Sequence, residues 1–471
     1  MEFPRLVVAA LRGGSGKTIL SMGIILALKA QGLSIAPFKK GPDYIDAGWL
    51  SLAAGRSCYN LDNYLVDTPR ILHSFHAHTH PGDIAVIEGN RGLFDSSDLA
   101  GTTATAELAK LIKAPVLLSL DCTKSTRTMA ALVSGCIEFD DEVDICGVIL
   151  NRVAGSRHES ILRQNIEHYC GVPILGVVPK LGKQYFPERH MGLVPTAEHQ
   201  WAMDSLDAVL NMANNYLDLK AILSIAETAP SLDVPDRPKS QISLTVHPAN
   251  HQAGSKPRIG IIKDAAFQFY YPENLDALVA AGAETVYLSP LSQTRFPELD
   301  ALYIGGGFPE THARELSENC LFRQAIYSQV QFGLPVYAEC GGLMYLGNIL
   351  ELKGKSYPMC GVLPIVFGFT ERPQGHGYTQ VTVTGDNPFY PVGTTLRGHE
   401  FHYSYLKKWD GDAADLVFQM TRGTGLTDKM DGVCFKNVLA TYTHIHALGT
   451  PQWAEALVGQ AAAHRDRRAH P

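Results

Sequence analysis

The sequence has no Cys-x-x-Cys pair, no apolar run of membrane-spanning length and no excess of positive charge. Its nine cysteines are scattered singly over 471 residues, a pattern typical of reduced thiols in a cytoplasm. The net charge of -7 argues against a general nucleic-acid or membrane-surface role, because such proteins present basic surfaces. The N-terminal run RLVVAAL is too short for a secretion signal. We therefore expect a cytoplasmic protein that binds neither nucleic acid nor membranes.

Short apolar strands alternate with helical segments in both halves of the chain, as in RLVVAAL, DIAVIEG and APVLLSLD, and again in RIGIIK and ALYIGGG. In the first half, this alternation predicts a parallel sheet covered by helices on both faces, and in the second half it predicts a further α/β domain. A polar stretch rich in proline and serine separates the two halves and is typical of a linker. The predicted organisation is a domain over 1–227, a linker over 228–257, a second domain over 258–460 and a solvated, frayed basic tail over 461–471.

The stretch ALRGGSGKT, residues 10–18, departs from the phosphate-loop pattern G-x-x-x-x-G-K-[ST], because Leu11 occupies the first glycine position. It nevertheless lies between a predicted strand and a predicted helix, where phosphate loops occur. Glycine N–H groups and a helix N-terminus attract phosphate, a lysine reaches the outer phosphates, and a threonine hydroxyl can bind Mg²⁺. The sequence thus predicts an ATP site formed by Gly13, Gly14, Gly16, Lys17 and Thr18.

Two carboxylates follow predicted strands of the first domain. Asp43 comes after FKKG, and Glu88 ends DIAVIE. Because parallel strands deliver their ends to one edge of the sheet, we expect both to lie near the phosphate loop. Mg²⁺ prefers oxygen ligands, so Asp43, Glu88 and Thr18 are the predicted magnesium ligands. Asp46 and Asp95 follow close behind and enlarge the acidic cluster.

The second domain contains a cysteine in the setting of a nucleophile. Cys340 lies between a predicted strand and a helix and is followed by two glycines, so we expect a tight turn whose helix end favours the thiolate. A cysteine nucleophile needs a histidine base, for which His444 is the candidate and His446 the rival. Backbone donors for an oxyanion are expected from Gly341 and from Gly306 or Gly307, with Gly307 preferred.

Two further groups of polar residues are ambiguous. We interpret His73, His76, His78 and His80 as a solvated loop, with contact to a metal or to substrate carboxylates as the alternative. The stretch GHEFHYS contains His399, Glu400 and His402. These three have the composition of a metal site, but we expect structural hydrogen bonds between domains instead, because H-x-x-H on a strand suits zinc poorly.

Six stretches occur in the order of the motifs of the cobyrinate a,c-diamide synthase family. They are FKKGPDYID, IEGNRGLFD, ILNRV, GGGFPE, YAECGGLMYL and GHEFHYS. The chain resembles that family over almost its whole length. Its first half is similar to dethiobiotin synthetase and to the partition and Min-type ATPases, and its second half is similar to class I glutamine amidotransferases. The resemblance implies a P-loop synthetase domain joined to a glutamine amidotransferase domain.

The resemblance also implies roles for individual residues. Asn151 would read the adenine, with a strand-end turn residue as the alternative, and Tyr44, Asp46 and Asp95 would handle the substrate. Class I amidotransferases place a glutamate two residues after the histidine, but His446 stands there, so a Cys–His dyad is expected. Arg12 replaces the lysine with which Min-type loops sense nucleotide across a dimer. Nucleotide sensing and a salt bridge at the sheet edge both remain open for it.

The implied reaction is the ATP- and glutamine-dependent amidation, with Mg²⁺, of the a and c acetates of cobyrinic acid through acyl phosphates, in cobalamin biosynthesis. The same reaction on hydrogenobyrinate or Ni-sirohydrochlorin remains an alternative. More distant alternatives are a cobyric acid synthase and a partition-type ATP switch. A homodimer stays open.

Overall fold

The computed structural model of the chain describes residues 3–180, 188–189, 192–193, 202–233 and 256–469. The chain separates into two compact units, Met1–Pro238 and Lys239–Pro471. Most of the predicted linker, from residue 234 to residue 255, lies outside the described residues. Each unit is an α/β structure, as the sequence predicts.

The first unit contains a seven-stranded, wholly parallel sheet in the order β3-β2-β4-β1-β5-β6-β7. Its strands are β1 Arg5–Ala10, β2 Ser34–Lys40, β3 Tyr59–Leu61, β4 Asp83–Glu88, β5 Val116–Asp121, β6 Ile145–Val153 and β7 Ile174–Pro179, and a separate hairpin consists of β8 Glu188–Arg189 and β9 Gly192–Leu193. Strand β1 is buried along its whole length and pairs with β4 and β5. A continuous apolar strand of this kind is what a sheet covered on both faces requires.

The helices of the first unit follow the strands, which makes parallel strand pairing possible. They are α1 Lys17–Ala30, α2 Ile45–Ala54, α3 Thr68–His78, α4 Thr105–Leu111, α5 Arg127–Phe139, α6 Ser156–Cys170, α7 Ala202–Tyr216 and α8 Leu219–Glu227. Helix α1 starts directly at the predicted phosphate loop, and α2 starts just after Asp43. Both candidate sites of this unit therefore lie at the carboxyl edge of the sheet.

The loop interpretation of the four histidines is wrong for His73, His76 and His78, which lie on α3. The side chain of Asp67 caps that helix by accepting the Arg70 N–H, and the helix buries Ile71, Leu72 and Phe75. The His78 ring stacks on Tyr59 with centroids 3.4 Å apart. Only His80 lies outside the helix, on an exposed turn.

The second unit is built on a ten-stranded mixed sheet in the order β11-β10-β12-β13-β22-β21-β20-β17-β18-β23, with a four-stranded sheet β15-β14-β16-β19 beside it. The strands are β10 Arg258–Ile262, β11 Glu284–Leu288, β12 Ala301–Ile304, β13 Val336–Glu339, β14 Ile349–Leu352, β15 Lys355–Pro358, β16 Ile365–Phe369, β17 Gly375–Val383, β18 Thr395–His402, β19 Ser404–Trp409, β20 Leu416–Arg422, β21 Met430–Phe435, β22 Val438–Thr441 and β23 His444–Ile445. Strands β10 to β13 and β22 are parallel to their neighbours among these five.

The helices of the second unit are α9 Pro272–Ala280, α10 Ala313–Glu318, α11 Cys320–Gln331, α12 Gly341–Leu346 and α13 Gln452–Ala469. The prediction of a frayed basic tail is wrong over residues 461–469, because α13 continues through them and buries Ala461, Ala462 and His464. Near its end, Arg468 donates hydrogen bonds to Leu299 and Asp300. None of the helices in the described ranges combines the length and apolar character that crossing a bilayer requires.

Candidate functional site

The predicted phosphate loop connects β1 to α1 in the manner of a cradle. Gly14 and Gly16 adopt left-handed backbone angles, with φ of 69° and 86°, and Gly16 is the N-terminal cap of α1. A β-carbon at Gly16 would lie 2.5 Å from Nδ2 of Asn151, while one at Gly13 would meet nothing within 4 Å. Glycine is therefore required at position 16, both for the left-handed backbone conformation and for the close approach of the Asn151 side chain.

Lys17 and Thr18 lie at the first turn of α1. The Nζ of Lys17 donates to the carbonyl oxygens of Arg91, at 2.6 Å, and of Arg12, at 3.4 Å. Burial lowers the pKa of Lys17, and the neighbouring charge of Lys39 lowers it further. The Thr18 hydroxyl donates to Oε1 of Glu88 at 2.9 Å, so the predicted pair of Thr18 and Glu88 is brought together.

Asn151 lies at the end of β6 and packs on the loop. Its Nδ2 donates to the Ser15 carbonyl at 2.9 Å, and its Oδ1 accepts the Arg152 N–H. Next to it, Arg152 pairs with Asp121 at 2.8 Å and donates to the Gly14 carbonyl at 3.0 Å. Asn151 thus helps to hold the loop, and its reading of adenine stays a prediction.

Arg12 forms a salt bridge with Asp121 at 3.1 Å, although its side chain is 71% exposed. Burial opposes ionisation of Asp121, but hydrogen bonds from Thr123 and the charge of Arg152 outweigh it, and the pKa of Asp121 falls to about 2. The sheet-edge salt bridge is therefore formed in this structure. Nucleotide sensing by Arg12 stays a prediction.

A buried lysine lies at the centre of the acidic cluster. The Nζ of Lys39, on β2, is 2.8 Å from Oε1 of Glu88 and 2.9 Å from Oδ2 of Asp46. The Lys39 and Glu88 side chains are each 1% exposed. Burial works against the charge of Lys39, but the two carboxylates outweigh it and raise its pKa. Lys39 thus pairs with Glu88, a predicted magnesium ligand, and with Asp46 of the same acidic cluster.

The remaining predicted residues of this edge lie nearby but make separate contacts. Asp43 Oδ1 accepts the Asp46 N–H at 2.9 Å, and Tyr44 is the residue that caps α2. Asp95 accepts the Gly92 N–H at 2.7 Å and so closes its own turn. The described hydrogen bonds therefore give Asp43 and Asp95 a local structural role, and substrate handling by Tyr44, Asp46 and Asp95 stays a prediction.

In the second unit, Cys340 occupies a strained elbow between β13 and α12. Its φ of 46° and ψ of -96° are rare for a residue with a side chain, and such angles occur where a nucleophile is held out of line with its strand. The backbone N–H of Cys340 donates to the Thr441 carbonyl at 2.7 Å, and Sγ lies 3.9 Å from the Phe401 carbonyl oxygen.

The expectation that the helix end favours the thiolate of Cys340 is opposed by the burial of this side chain. Burial raises the pKa of Cys340 far above that of a free thiol, and the neighbouring carboxylates of Glu310 and Glu339 raise it further. The Gly341 N–H, at the start of α12, lowers the pKa, but burial outweighs it. A thiol in this setting needs a base to accept its proton.

The glycines predicted to bind an oxyanion lie side by side. A β-carbon at Gly341 would be 3.0 Å from the backbone nitrogen of Gly307. One at Gly306 would be 2.5 Å from Cε1 and 3.2 Å from Nε2 of His444. The backbone of this loop therefore touches both the residue after Cys340 and the imidazole of His444.

His444 and its rival His446 make different contacts. Nδ1 of His444 is 3.4 Å from Oε2 of Glu339, and its ring stacks on His399 with centroids 4.9 Å apart. His446 is fully buried, with Nε2 3.6 Å from Oε1 of Glu273 and Nδ1 accepting the Leu448 N–H. The loop of Gly306 and Gly307, here called the oxyanion loop, lies against the His444 ring. This contact favours His444 over His446 as the base.

The stretch GHEFHYS forms the end of β18 and makes hydrogen bonds within its own unit. Glu400 accepts the N–H groups of Thr424, at 2.5 Å, and Gly425, at 3.0 Å, and Nδ1 of His402 lies 2.8 Å from the Ser404 carbonyl. Burial, with the charges of His444 and His446, lowers the pKa of His399 well below its usual value. Among the described residues, no group of three His, Cys, Asp or Glu side chains is arranged to hold a metal ion.

Comparison with known proteins decides the family. The profile of the CobQ/CobB/MinD/ParA nucleotide binding domain matches residues 6–191, and that of the CobB/CobQ-like glutamine amidotransferase domain matches residues 258–452. A cobyrinate a,c-diamide synthase from Magnetococcus marinus is 44% identical over 456 residues, which cover 97% of each chain. Enzymes of the same name from Archaeoglobus fulgidus and Methanosarcina acetivorans are 39% and 38% identical, covering 98% and 99% of this chain and 98% and 97% of theirs.

The chain belongs to the cobyrinate a,c-diamide synthase family. It is a glutamine-hydrolysing carbon–nitrogen ligase of that family, with an ATP-binding domain followed by a glutamine amidotransferase domain. Glutamine and ATP are its substrates. The predicted family and fold class are confirmed.

The carboxylates beside the phosphate loop fit the magnesium ion that a nucleotide-binding domain implies. Burial raises the pKa of Asp43 to about 6 and that of Glu88 to about 7, so both would gain from a cation. Oε2 of Glu88 is buried and has no hydrogen-bond partner among the described residues. The oxygen donors are of the kind that Mg²⁺ prefers.

Sequence reasoning missed Lys39 and Glu339, although each carried a signal. Lys39 is a charged residue near the end of β2, a few residues before Asp43, and Glu339 ends β13 directly before Cys340. A charge is rarely buried without a partner, so such a position indicates an ion pair at a strand end.

Gly16→Ala in this family member is expected to weaken ATP binding by about 100-fold or more, because the new side chain meets both strain and Asn151. Gly13→Ala is the matched control in the same loop, and its loss should be less than about fivefold, since no atom lies within 4 Å of the new β-carbon. Titration calorimetry with ATP measures both. Equal losses in the two variants would contradict the required geometry at Gly16.

Lys39→Met is expected to lower the free energy of unfolding of the first unit by about 3–5 kcal/mol, because it leaves buried carboxylates without their cation. Arg12→Met removes an exposed bridge and should cost less than about 1 kcal/mol. Urea unfolding of the full chain, followed by circular dichroism, compares them. A Lys39→Met chain as stable as the parent would show that the buried cluster is not held by this cation.

Proposed function

We propose that the chain converts the a and c acetate carboxylates of cobyrinic acid into carboxamides, using ATP and glutamine. The observation that carries this proposal is the 44% identity over 97% of the chain to an enzyme named cobyrinate a,c-diamide synthase. It is supported by the presence, in one chain, of a phosphate loop beside buried carboxylates and a cysteine on a strained elbow. Each feature supplies one half of a glutamine-dependent amidation.

The second unit would release ammonia from glutamine. The Cys340 thiol gives its proton to Nε2 of His444, and Sγ attacks the side-chain amide carbon. The N–H groups of Gly341 and Gly307 stabilise the oxyanion of the tetrahedral intermediate. His444 returns the proton to the leaving nitrogen, ammonia departs, and water hydrolyses the remaining thioester.

The first unit would activate the carboxylate, which is a poor electrophile at neutral pH. A carboxylate oxygen attacks the γ-phosphorus of ATP, ADP leaves, and the acyl phosphate then reacts with ammonia to give the amide and phosphate. The phosphates would be held by Gly13, Gly14, Gly16 and Lys17, and Asn151 would contact the adenine base. Thr18, Asp43 and Glu88 would hold Mg²⁺, which neutralises phosphate charge.

The identity of the tetrapyrrole is tested by direct assay. We expect amidation of cobyrinic acid with MgATP and glutamine, at two carboxylates per molecule, with hydrogenobyrinate and Ni-sirohydrochlorin converted more slowly. Mass spectrometry of the products from the three substrates decides the matter. Faster conversion of hydrogenobyrinate or Ni-sirohydrochlorin would show that this compound, and not cobyrinic acid, is the substrate. The proposed activation of the carboxylate and its amidation would be unchanged.

Further parts of the proposal concern organisation. The functional domains are taken to be 1–227 and 258–460, joined by 228–257. The scattered cysteines support a cytoplasmic location, since all nine are free thiols. A homodimer stays a proposal, which sedimentation of the full chain would test.

A further inference from the structure

The residue immediately before the nucleophile is a buried carboxylate that faces the imidazole of His444. Glu339 is the last residue of β13, and its side chain is 1% exposed. Its Oε2 is 3.4 Å from Nδ1 of His444. Burying a carboxylate is costly unless hydrogen bonds and a cation compensate for the lost water. The position of Glu339 therefore calls for a functional reason.

Neighbouring donors fix the direction of this carboxylate. The Ile445 N–H donates to Oε1 at 3.2 Å, and the Tyr303 hydroxyl donates to Oε2 at 3.1 Å. Asn274 supports both, since its Nδ2 lies 3.3 Å from the Tyr303 oxygen and 3.1 Å from the Ile445 carbonyl oxygen. Glu339 is thus held by two donors, one on each carboxylate oxygen, and its Oε2 is also the oxygen that faces the imidazole.

The Cε1 and Nε2 atoms of the His444 ring lie against the loop of Gly306 and Gly307. Cε1 and Nε2 are the ring atoms nearest to the β-carbon position of Gly306, in the loop that also lies against Gly341. Strand register explains the arrangement: Glu339 is opposite Thr441 on β22, and the chain then turns to bring His444 opposite His399 on β18. Glu339 and the oxyanion loop therefore contact different edges of one imidazole.

We propose that Glu339 is the positioning residue for His444, keeping the imidazole proton on Nδ1 so that Nε2 can accept the proton of the Cys340 thiol. The proposal rests on the proposed roles of Cys340 and His444. When Nε2 takes that proton, the imidazolium forms beside a carboxylate that is already oriented and desolvated, which stabilises it. Glu339 thereby supplies the carboxylate that class I amidotransferases place two residues after the histidine, where this chain has His446.

The rival pair in the same region is His446 with Glu273, whose Nε2 to Oε1 distance is 3.6 Å. Tyr271 packs on the His446 ring at 4.6 Å between centroids, and Nδ1 of His446 accepts a backbone N–H. The atoms nearest to the β-carbon positions of Gly306 and Gly307 do not include any atom of His446. Glu273 is therefore a matched control, being a second buried glutamate that faces a different histidine.

The test is Glu339→Gln in the full chain, assayed with glutamine and with ammonium as the nitrogen source. If the one oxygen of glutamine keeps the Ile445 hydrogen bond, its NH₂ group faces Nδ1 and drives the proton to Nε2, the wrong tautomer. We expect the glutamine-dependent kcat to fall by about 100-fold or more, with KM for glutamine changed less than about threefold. The ammonium-dependent rate should stay within about twofold of the parent.

Parallel variants separate the possible failures. If His444→Ala keeps glutamine use, the proposed base is wrong; if it loses glutamine use but Glu339→Gln keeps its kcat, only the positioning role is wrong. Glu273→Gln should retain glutamine-dependent kcat, and a loss equal to that of Glu339→Gln would overturn the assignment to Glu339. Should Glu339→Gln not fold, Glu339→Asp decides: a glutamine-dependent kcat reduced by about tenfold, at unchanged ammonium-dependent rate, supports the role, and an unchanged kcat overturns it.

Discussion

Cys340→Ser is expected to abolish glutamine-dependent amidation, by about 1000-fold or more, while ammonium-dependent amidation stays within about twofold of the parent. The physical reason is that a serine hydroxyl in the same buried elbow is a far weaker nucleophile than a thiol. The first unit, which activates the carboxylate, is unaffected by the change. The measurement is product formation with each nitrogen source at saturating MgATP.

Cys320→Ser is the control for this variant, because Cys320 is an exposed thiol of the same unit and lies outside the candidate site. It should retain both activities. Glutamine-dependent turnover by Cys340→Ser at the parent rate would show that the nucleophile is elsewhere. Loss of both activities would instead mean that the substitution disturbs more than glutamine hydrolysis.

Lys17→Ala should abolish amidation from either nitrogen source, by about 1000-fold or more, because the charge that stabilises the transferring phosphoryl group is lost. Both sources fail together because ammonia cannot react with a carboxylate that has not been activated. Lys29→Ala removes an exposed lysine from the other end of the same helix, and it should leave both rates unchanged. Retained ammonium-dependent amidation in Lys17→Ala would contradict the proposed ATP site.

The sequence predicted most strands of the two parallel regions and the positions of the loop and the elbow, because these features depend on local sequence. Fully buried parallel strands such as β1 and β4 are short apolar runs, and their carboxyl ends collect polar residues at one edge. Thr18 and Glu88 could thus be placed together although 70 residues separate them. Likewise, Cys340 followed by two glycines predicts an elbow without knowledge of the rest of the unit.

What could not be predicted depends on register and burial. Lys39 lies between Glu88 and Asp46 only because β2 pairs with β4 so that Lys39 is opposite Glu88. Burial raises the pKa of the Cys340 thiol, and no local pattern in the sequence measures burial. Glu339 reaches His444 through the turn after β22, and that path requires the strand order of the folded sheet.

Two elements were missed although their signals are local. Helix α3 carries Asp67 as its cap and Pro69 in its first turn, and Ile71 and Phe75 lie one turn apart on its buried face. The four histidines drew attention to polarity and away from this periodicity. The basic residues at the end of α13 suggested a frayed tail, although alanines on the buried side of the helix continue it to Ala469.

The central claim is that the phosphoryl group of ATP passes to the carboxylate that becomes the amide. Cobyrinic acid labelled with ¹⁸O in its carboxylates tests it in a single turnover with MgATP and glutamine. Since the acyl phosphate keeps one carboxylate oxygen bridged to phosphorus, we predict one ¹⁸O in the phosphate released for each amide formed. Phosphate released without ¹⁸O, at normal amide yield, would contradict the account.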